Sequence, residues 1–363
     1  SIAFYVCTRI HILFNKNVPS ADIIVSDNEG RHFLDFLPYK RIIQNTSHSI
    51  YTFINREKHH INTLISTPFP TVCYTKNSFE RLYKEYTKSN WDPILANCNK
   101  LIVVDEYSLP NATLVELANK KQILTVGVQH GAIFPGHKGY EYYKKQPKSK
   151  TVHTFLCYSK YEKKFLADSQ ITKIKICGSP RHDAIQQSES HTKTLVWFTQ
   201  SHSELMKKKG ENWTNIKMLS AWLTTHKDWK LLIKLHPNEN QWFTGYRLFQ
   251  MLKPKRITIS QKITVPQALE LATFTITKNS TVGYDSILSN TPCIILNMKD
   301  TLSIKNYTDL CYPYVANDST SFNKYITNFN RKTFSDIRTA FVESRFPYYP
   351  RSTKYLLQVI DNL

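Results

Sequence analysis

Short apolar runs punctuate the chain, and longer amphipathic stretches separate them. The runs Ile2–Cys7, Ile23–Val25, Thr71–Tyr74, Leu101–Val104, Ile123–Val128, Thr154–Tyr158 and Ile174–Cys177 are brief and rich in β-branched residues. Polar or turn residues bound each of them, as expected of strands. A second series repeats the pattern: Leu195–Phe198, Lys230–Leu235, Ile257–Ile259, Phe274–Thr277 and Cys293–Leu296. Helix-like stretches lie between, at Ala112–Lys120, Lys160–Asp168, Glu211–Thr225, Val265–Leu271 and Ser280–Leu288. This alternation predicts an α/β chain with parallel sheets.

The strand series restarts near Leu195, behind the polar and aperiodic stretch Ile185–Lys193, which reads as a linker. Two Rossmann-like halves are therefore expected, residues 1–186 and 195–334, with a hinge at 187–194. They should face each other across a cleft. The basic, aromatic tail, residues 335–363, reads as helix-like and able to return toward the first half. Ligands of such sheets bind beyond the carboxyl ends of the strands, so function is sought in the loops that follow strands.

Composition narrows the classes. A length of 363 residues fits two domains at roughly 150 residues each. With 41% apolar residues there is material for packed cores, which excludes global disorder. Nine glycines without a short period exclude collagen-like and low-complexity chains. Lys and Arg number 48 against 28 Asp and Glu, a net charge of +20, and such a surface attracts anions. The densest cluster is Lys144, Lys145, Lys148 and Lys150. Its bland account is a solvated surface; its functional account is docking at the anionic inner leaflet of a membrane or capture of an acidic ligand. Seven cysteines lie far apart with no CxxC pair, so neither a disulfide framework nor a zinc knuckle is expected. Reduced core thiols point to a cytoplasmic compartment. No apolar run reaches the roughly 18 residues of a membrane span, and no signal peptide is evident.

Several loops after predicted strands carry candidate chemistry. In Lys234-Leu235-His236-Pro237-Asn238-Glu239 an apolar strand ends in a His-Pro pair. The proline stops the ladder and leaves an imidazole at the strand's carboxyl end, where it can donate to an anionic oxygen. The competing account is a turn with a packed histidine. Lys278-Asn279-Ser280-Thr281 joins a strand to a helix, and helix starts with small hydroxyl residues bind anions. Plain N-capping by Asn279 or Ser280 is compatible with that. No GxxxxGK[ST] loop occurs.

In the first half, Gln129-His130-Gly131 follows an apolar strand, and a histidine there can take a proton from a hydroxyl near neutral pH. A hydrogen-bonded structural turn is the alternative. Asp105-Glu106-Tyr107 puts two carboxylates after another strand, either one a possible base or a cap for the next helix. Adjacent residues point to opposite faces, so at most one of the two faces the ligand side. Gly178-Ser179-Pro180-Arg181-His182-Asp183 ends the first half, and Arg181 there can clamp a phosphate or pair with Asp183. Thr199-Gln200-Ser201 follows the first strand of the second half and is polar.

Gln129-His130-Gly131, Gly178–Asp183, Lys234–Pro237 and Asn279-Ser280-Thr281 with Asp285 together resemble the motifs of GT-B glycosyltransferases of bacterial surface polysaccharides. The group includes Kdo transferases, sialyl- and polysialyltransferases, and CDP-glycerol-type teichoic acid polymerases. The resemblance covers roughly residues 100–297 and implies two Rossmann-like domains. It implies a metal-independent, inverting transfer from a nucleotide-sugar co-substrate, cytidine-based, to a glycan or glycolipid hydroxyl, with no separate cofactor. His236, Ser280 and Thr281 then hold the donor phosphate, with Lys234, Pro237, Asn279, Ser201 and Arg181 nearby. His130, or Asp105 and Glu106, supplies the base; glycine follows the acid pair in the sialyltransferase-like pattern, whereas Tyr107 stands here, which favours His130. Transfer of a polyol phosphate from a CDP donor is the alternative within the group, and a sugar-nucleotide epimerase shares the architecture. From another class, the charge suggests a nucleic-acid-binding protein, but no HTH, RRM, KH or zinc-finger signature is visible, so nucleic acid is not an expected partner. A noncatalytic module of a larger synthase is a further reading.

Overall fold

The computed structural model describes residues 23–27, 50–55, 71–74, 95 and 98–363, apart from 105, 108–110, 188–189, 191, 201–210, 237–238, 240–243, 253–254 and 298–303. The chain divides into two units. The first runs to His130, resumes over His137–Asp183 and ends with Tyr348–Leu363; the second holds Gly131–Gly136 and Ala184–Pro347. The fold is α/β, with one parallel sheet in each unit and helices on the crossovers.

The first sheet has seven strands, β1 (Ile23–Asp27), β2 (Ile50–Asn55), β3 (Thr71–Tyr74), β4 (Lys100–Val104), β5 (Leu124–Val128), β6 (Thr154–Cys157) and β7 (Lys173–Ile176). Their spatial order is β3-β2-β1-β4-β5-β6-β7. Asp27 pairs with Val104 and Val104 with Val128, so the loops after β1, β4 and β5 leave one edge of the sheet together. Helices α1 (Asn111–Lys120), α2 (Lys138–Lys144) and α3 (Lys160–Phe165) follow β4, β5 and β6. A capping box starts α3: the Ser159 hydroxyl accepts from Tyr161 N–H, and the Glu162 carboxylate accepts the Ser159 N–H. The last helix, α11 (Ser352–Asp361), packs Leu356, Leu357, Val359 and Ile360 against Ile102, Val104, Val126 and Val128.

The second sheet holds β8 (Thr194–Phe198), β9 (Lys230–Lys234), β10 (Ile257–Ser260), β11 (Phe274–Thr277), β12 (Cys293–Leu296) and β13 (Val315–Ala316), in the order β10-β9-β8-β11-β12-β13. Side chains alternate between its faces. Leu195, Trp197, Leu231 and Ile233 meet Ile216, Leu219 and Leu223 of α4 (Glu211–Thr225), whereas Val196, Phe198 and Leu232 meet Ala268 and Leu269 of α6 (Val265–Leu271). Burial on both faces is why these strands read as apolar runs. The remaining helices are α5 (Thr244–Leu252), α7 (Val282–Leu288), α8 (Lys305–Thr308), α9 (Ser319–Thr327) and α10 (Arg331–Arg345).

In both sheets the strand order reverses once, between β1 and β4 and between β8 and β11. At such a reversal, successive connections leave on opposite faces and open a crevice at the carboxyl edge. Strands β2 and β13 and helices α2, α5, α8 and α9 are additions to the sequence reading; Ile2–Cys7 lies outside the described residues. The tail is two helices rather than one, because Pro347 and Pro350 interrupt it. Among the described residues no helix is long and apolar enough to cross a membrane. Cys98, Cys157, Cys177 and Cys293 are buried free thiols, and Cys311 is an exposed one.

Candidate functional site

The carboxyl edge of the second sheet brings three strand ends together. Thr199 follows β8, Leu235 and His236 follow β9, and Gln261 follows β10. The peptide of His236 is held from both sides. Its N–H donates to the Thr199 hydroxyl at 3.1 Å and approaches the Glu239 carboxylate at 3.4 Å. Its carbonyl accepts the Glu239 N–H at 2.9 Å and the Gln261 side-chain amide at 3.1 Å. The same Gln261 amide reaches the Glu239 carbonyl at 3.0 Å. Lys234 turns its ammonium onto the carbonyls of Leu235 and Gln261, at 2.9 and 3.2 Å. Burial lowers its proton affinity below that of an ordinary lysine. Pro237 and Ser201 lie outside the described residues.

Across the strand-order reversal, the loop after β11 carries Lys278-Asn279-Ser280-Thr281 into α7. The Gln200 amide donates to the Asn279 side-chain oxygen, which joins the loops after β8 and β11. Asn279 is therefore not the helix cap. Ser280 takes that part, its hydroxyl accepting the Val282 N–H at 3.3 Å. The Thr281 side chain makes no capping bond. The Ser280 carbonyl accepts the Tyr307 hydroxyl at 2.8 Å, and that hydroxyl lies 2.2 Å from where a β-carbon on Gly283 would stand. Only glycine leaves room for this contact. Asp285 is buried on α7. Arg338 closes the far end of α7, donating to the carbonyls of Ile287 and Leu288 at 2.9 and 2.8 Å.

At the reversal of the first sheet, the Val104 carbonyl accepts the Asn111 amide at 2.6 Å, and Glu106 is fully buried. Burial raises the Tyr143 phenol well above its usual range, and the Glu106 carboxylate adds to this. Asp105 lies outside the described residues. Tyr107 is flanked by two imidazoles, His130 at 6.2 Å and His137 at 6.0 Å between ring centroids, with Tyr140 edge-on at 4.9 Å. A β-carbon on Gly139 would come within 2.4 Å of the Tyr107 ring. His137 caps α2 by accepting the Tyr140 N–H on Nδ1 at 3.3 Å. Burial holds the His137 imidazole below its usual range, partly offset by its own backbone and by Glu141. His130 is half-buried at the end of β5. Beside it, the Gln129 amide donates to Glu162 at 3.2 Å and its oxygen accepts the Tyr158 N–H at 2.8 Å.

Arg181 is half-buried on the turn Pro180–Ala184, whose His182 is buried with Nδ1 2.5 Å from the Ser179 hydroxyl. Asp183 receives the Ser352 and Thr353 N–H groups at the start of α11. Tyr246 and Gln261 escape a reading by local motif, because each reaches the His236 turn region from another segment: Tyr246 donates to the Glu239 carboxylate from α5, and Gln261 to the His236 and Glu239 carbonyls from the end of β10. Thr199, after β8, and Glu239, three residues after His236, were the visible signals. No cluster of three His, Cys, Asp or Glu side chains able to hold a metal occurs among the described residues.

No protein-family profile matches the sequence, and no curated protein matches it in sequence. Solved structures match the fold. The wall teichoic acid polymerase TagF, in a form soaked with CDPG, gives a TM-score of 0.59 at 12% identity over 99% of this chain and 95% of that one. A Methanocaldococcus jannaschii UDP-GlcNAc 2-epimerase in complex with UDP-GlcNAc and UDP gives 0.64 at 13% identity over 94% and 99%. The glycotransferase of kitacinnamycin gives 0.61 at 10% identity over 95% and 99%. The likeness at these identities is one of fold: two Rossmann-like parallel sheets in one chain, of the GT-B type.

Proposed function

We propose that the chain is a metal-independent, inverting glycosyltransferase that uses a cytidine-nucleotide donor of the CMP-Kdo or CMP-sialic acid type. The observation that carries this reading is the strand-order reversal of the second sheet. There the loops after β8 and β11 are joined by Gln200 and Asn279, with His236 at the end of the next strand. That unit takes the donor. His236 donates to the leaving phosphate, and the Ser280 and Thr281 hydroxyls hold it. Lys278 adds positive charge. Such preorganised donors stabilise the negative charge that develops as the nucleotide departs.

The first unit takes the acceptor, a hydroxyl of a surface polysaccharide or glycolipid, and His130 is its base. The enclosure of Glu106 leaves Asp105 as the rival carboxylate. Docking at an anionic cytoplasmic leaflet uses Lys145, Lys148 and Lys150, all exposed, beside Tyr142, which is 63% exposed. Binding to phosphatidylserine vesicles that fails to fall with salt would count against that docking.

A second reading is transfer of a polyol phosphate from a CDP donor. It is supported by the likeness to a TagF structure holding CDPG over nearly the whole chain. Thermal shift with CMP, CDP, UDP and GDP tests both. Stabilisation by CMP supports the first reading, and by CDP alone the second. Preference for UDP, with conversion of a UDP-sugar in the absence of acceptor, would replace both with an epimerase. No response to any nucleotide would end the transferase reading.

A further inference from the structure

We propose that Glu239 is the positioning residue of His236, a buried carboxylate that holds the His236 peptide in one geometry. The inference rests on the reading that His236 meets the donor phosphate. Glu239 is 6% exposed, and its two oxygens have different partners. One accepts the Tyr246 hydroxyl of α5 at 2.7 Å. The other accepts the Thr199 hydroxyl and lies 3.4 Å from the His236 N–H. The Thr199 hydroxyl also reaches the Lys234 carbonyl at 3.3 Å, and with its proton on either acceptor its oxygen turns a lone pair to the His236 N–H at 3.1 Å. Bonds thus run from His236 to Thr199 and on to Glu239.

The arrangement suits positioning and not ligand contact. A carboxylate would repel a phosphate, and this one is enclosed. Its donors come from the loop after β8 and from α5, and the Gln261 amide after β10 holds the carbonyl side of the same turn. The His236 backbone is thereby tied to three neighbouring segments. Geometry held this way is what electrostatic stabilisation of a leaving group requires, since a shift of about 1 Å removes most of it.

Glu239→Gln keeps the shape but places an amide N–H against one of these donors, so at least one bond is lost or reversed. Isothermal calorimetry with CMP and CDP, alongside thermal melting, tests the idea. Glu239→Gln should weaken binding of the preferred nucleotide by roughly ten- to hundredfold, since bonds to a charged acceptor are the strong ones. Thr199→Val, nearly isosteric, should weaken it about three- to tenfold and decides the matter if the first variant does not fold. Tyr312→Phe is the control. It removes a buried hydroxyl bonded to the Cys293 peptide, away from Glu239 and His236, and should lower the melting temperature with affinity unchanged. Wild-type affinity in Glu239→Gln, or in Thr199→Val, while His236→Ala loses binding, overturns the positioning role and leaves the donor site standing. Wild-type affinity in His236→Ala overturns the donor reading itself, and the inference with it.

Discussion

The carboxylate of Asp183 accepts the backbone N–H of Ser352 at 3.0 Å, and that of Thr353 at 2.6 Å. It thereby satisfies the first donors of α11, whose apolar side covers β4 and β5. Asp183→Ala should destabilise the first unit by about 0.5–2 kcal/mol, and Asp183→Asn by less, because the amide keeps an acceptor. Urea unfolding followed by circular dichroism reads this, and an unchanged midpoint in Asp183→Ala would dismiss the cap.

Gly283 and Tyr307 should behave as a coupled pair. A β-carbon at residue 283 would stand 2.2 Å from the Tyr307 hydroxyl and 3.0 Å from its ring carbon Cζ. Gly283→Ala should therefore lower stability by about 1–3 kcal/mol, as overpacking does. In a Tyr307→Phe background the same change should do less harm, since the nearest atom is gone. The comparison is a double-mutant cycle, and strict additivity of the two changes would show that the contact is absent.

Acid should destabilise the fold through His137. Burial keeps its imidazole neutral in the native state, so its folded proton affinity lies below the unfolded value of about 6.5. Between those two values the unfolded chain binds more protons. The stability is thus present above the unfolded value and lost as pH falls toward the folded one. His137→Asn, which can still cap α2, should flatten the fall in melting temperature between pH 7.5 and pH 5.5 (roughly the window set by that unfolded value). An identical slope in the variant would show that His137 is protonated in the native state too.

The choice of base separates in two variants. His130→Ala should bind nucleotide normally and lose about 10²–10⁴ in turnover, the range for a general base. Asp105→Asn should retain most of its activity. The reverse result, a dead Asp105→Asn beside an active His130→Ala, assigns the base to the carboxylate.

Thiol reactivity should follow burial. Burial pushes the Cys293 thiol up to about 12, and the Cys177 thiol rises for the same reason, so both are protonated and enclosed. Native alkylation with iodoacetamide, mapped by mass spectrometry, should modify Cys311 and spare Cys98, Cys157, Cys177 and Cys293. Early modification of Cys293 would contradict its placement in β12.

The parallel sheets were legible because strands covered on both faces need apolar residues throughout, as in Leu101–Val104 and Leu231–Ile233. Ile50–Asn55 escaped the reading because Thr52 and Asn55 interrupt its apolar run, and Val315–Ala316 is too short to show a pattern. Helix α5 was hidden by its own composition. Tyr246 and Phe249 are buried, but Leu248 and Met251 are exposed, so apolar residues fall on more than one face and blur the period. At the candidate site, single loops such as Lys234–Glu239 could be picked out, since each follows a strand. Their mutual partners could not, because the bonds that join Thr199, Glu239, Tyr246 and Gln261 depend on strand order. That order, with β8 between β9 and β11, leaves no mark on any one segment.

The route of the chain sets how the protein can be taken apart. The first unit is interrupted by the short stretch Gly131–Gly136, again after Asp183, and is completed only by Tyr348–Leu363, so in chain order the second unit is inserted into the first like a clause within a sentence. A single cut cannot yield two intact halves. A fragment ending near residue 347 would strip α11 from β4 and β5, exposing Ile102, Val104 and Val126, and would leave Asp183 with no helix to cap. Separate expression would instead take residues 184–347 as one insert, leave Gly131–Gly136 in the other piece, and rejoin Asp183 to Tyr348 through a short linker, an operation the Asp183–Ser352 bond favours by keeping the two ends side by side.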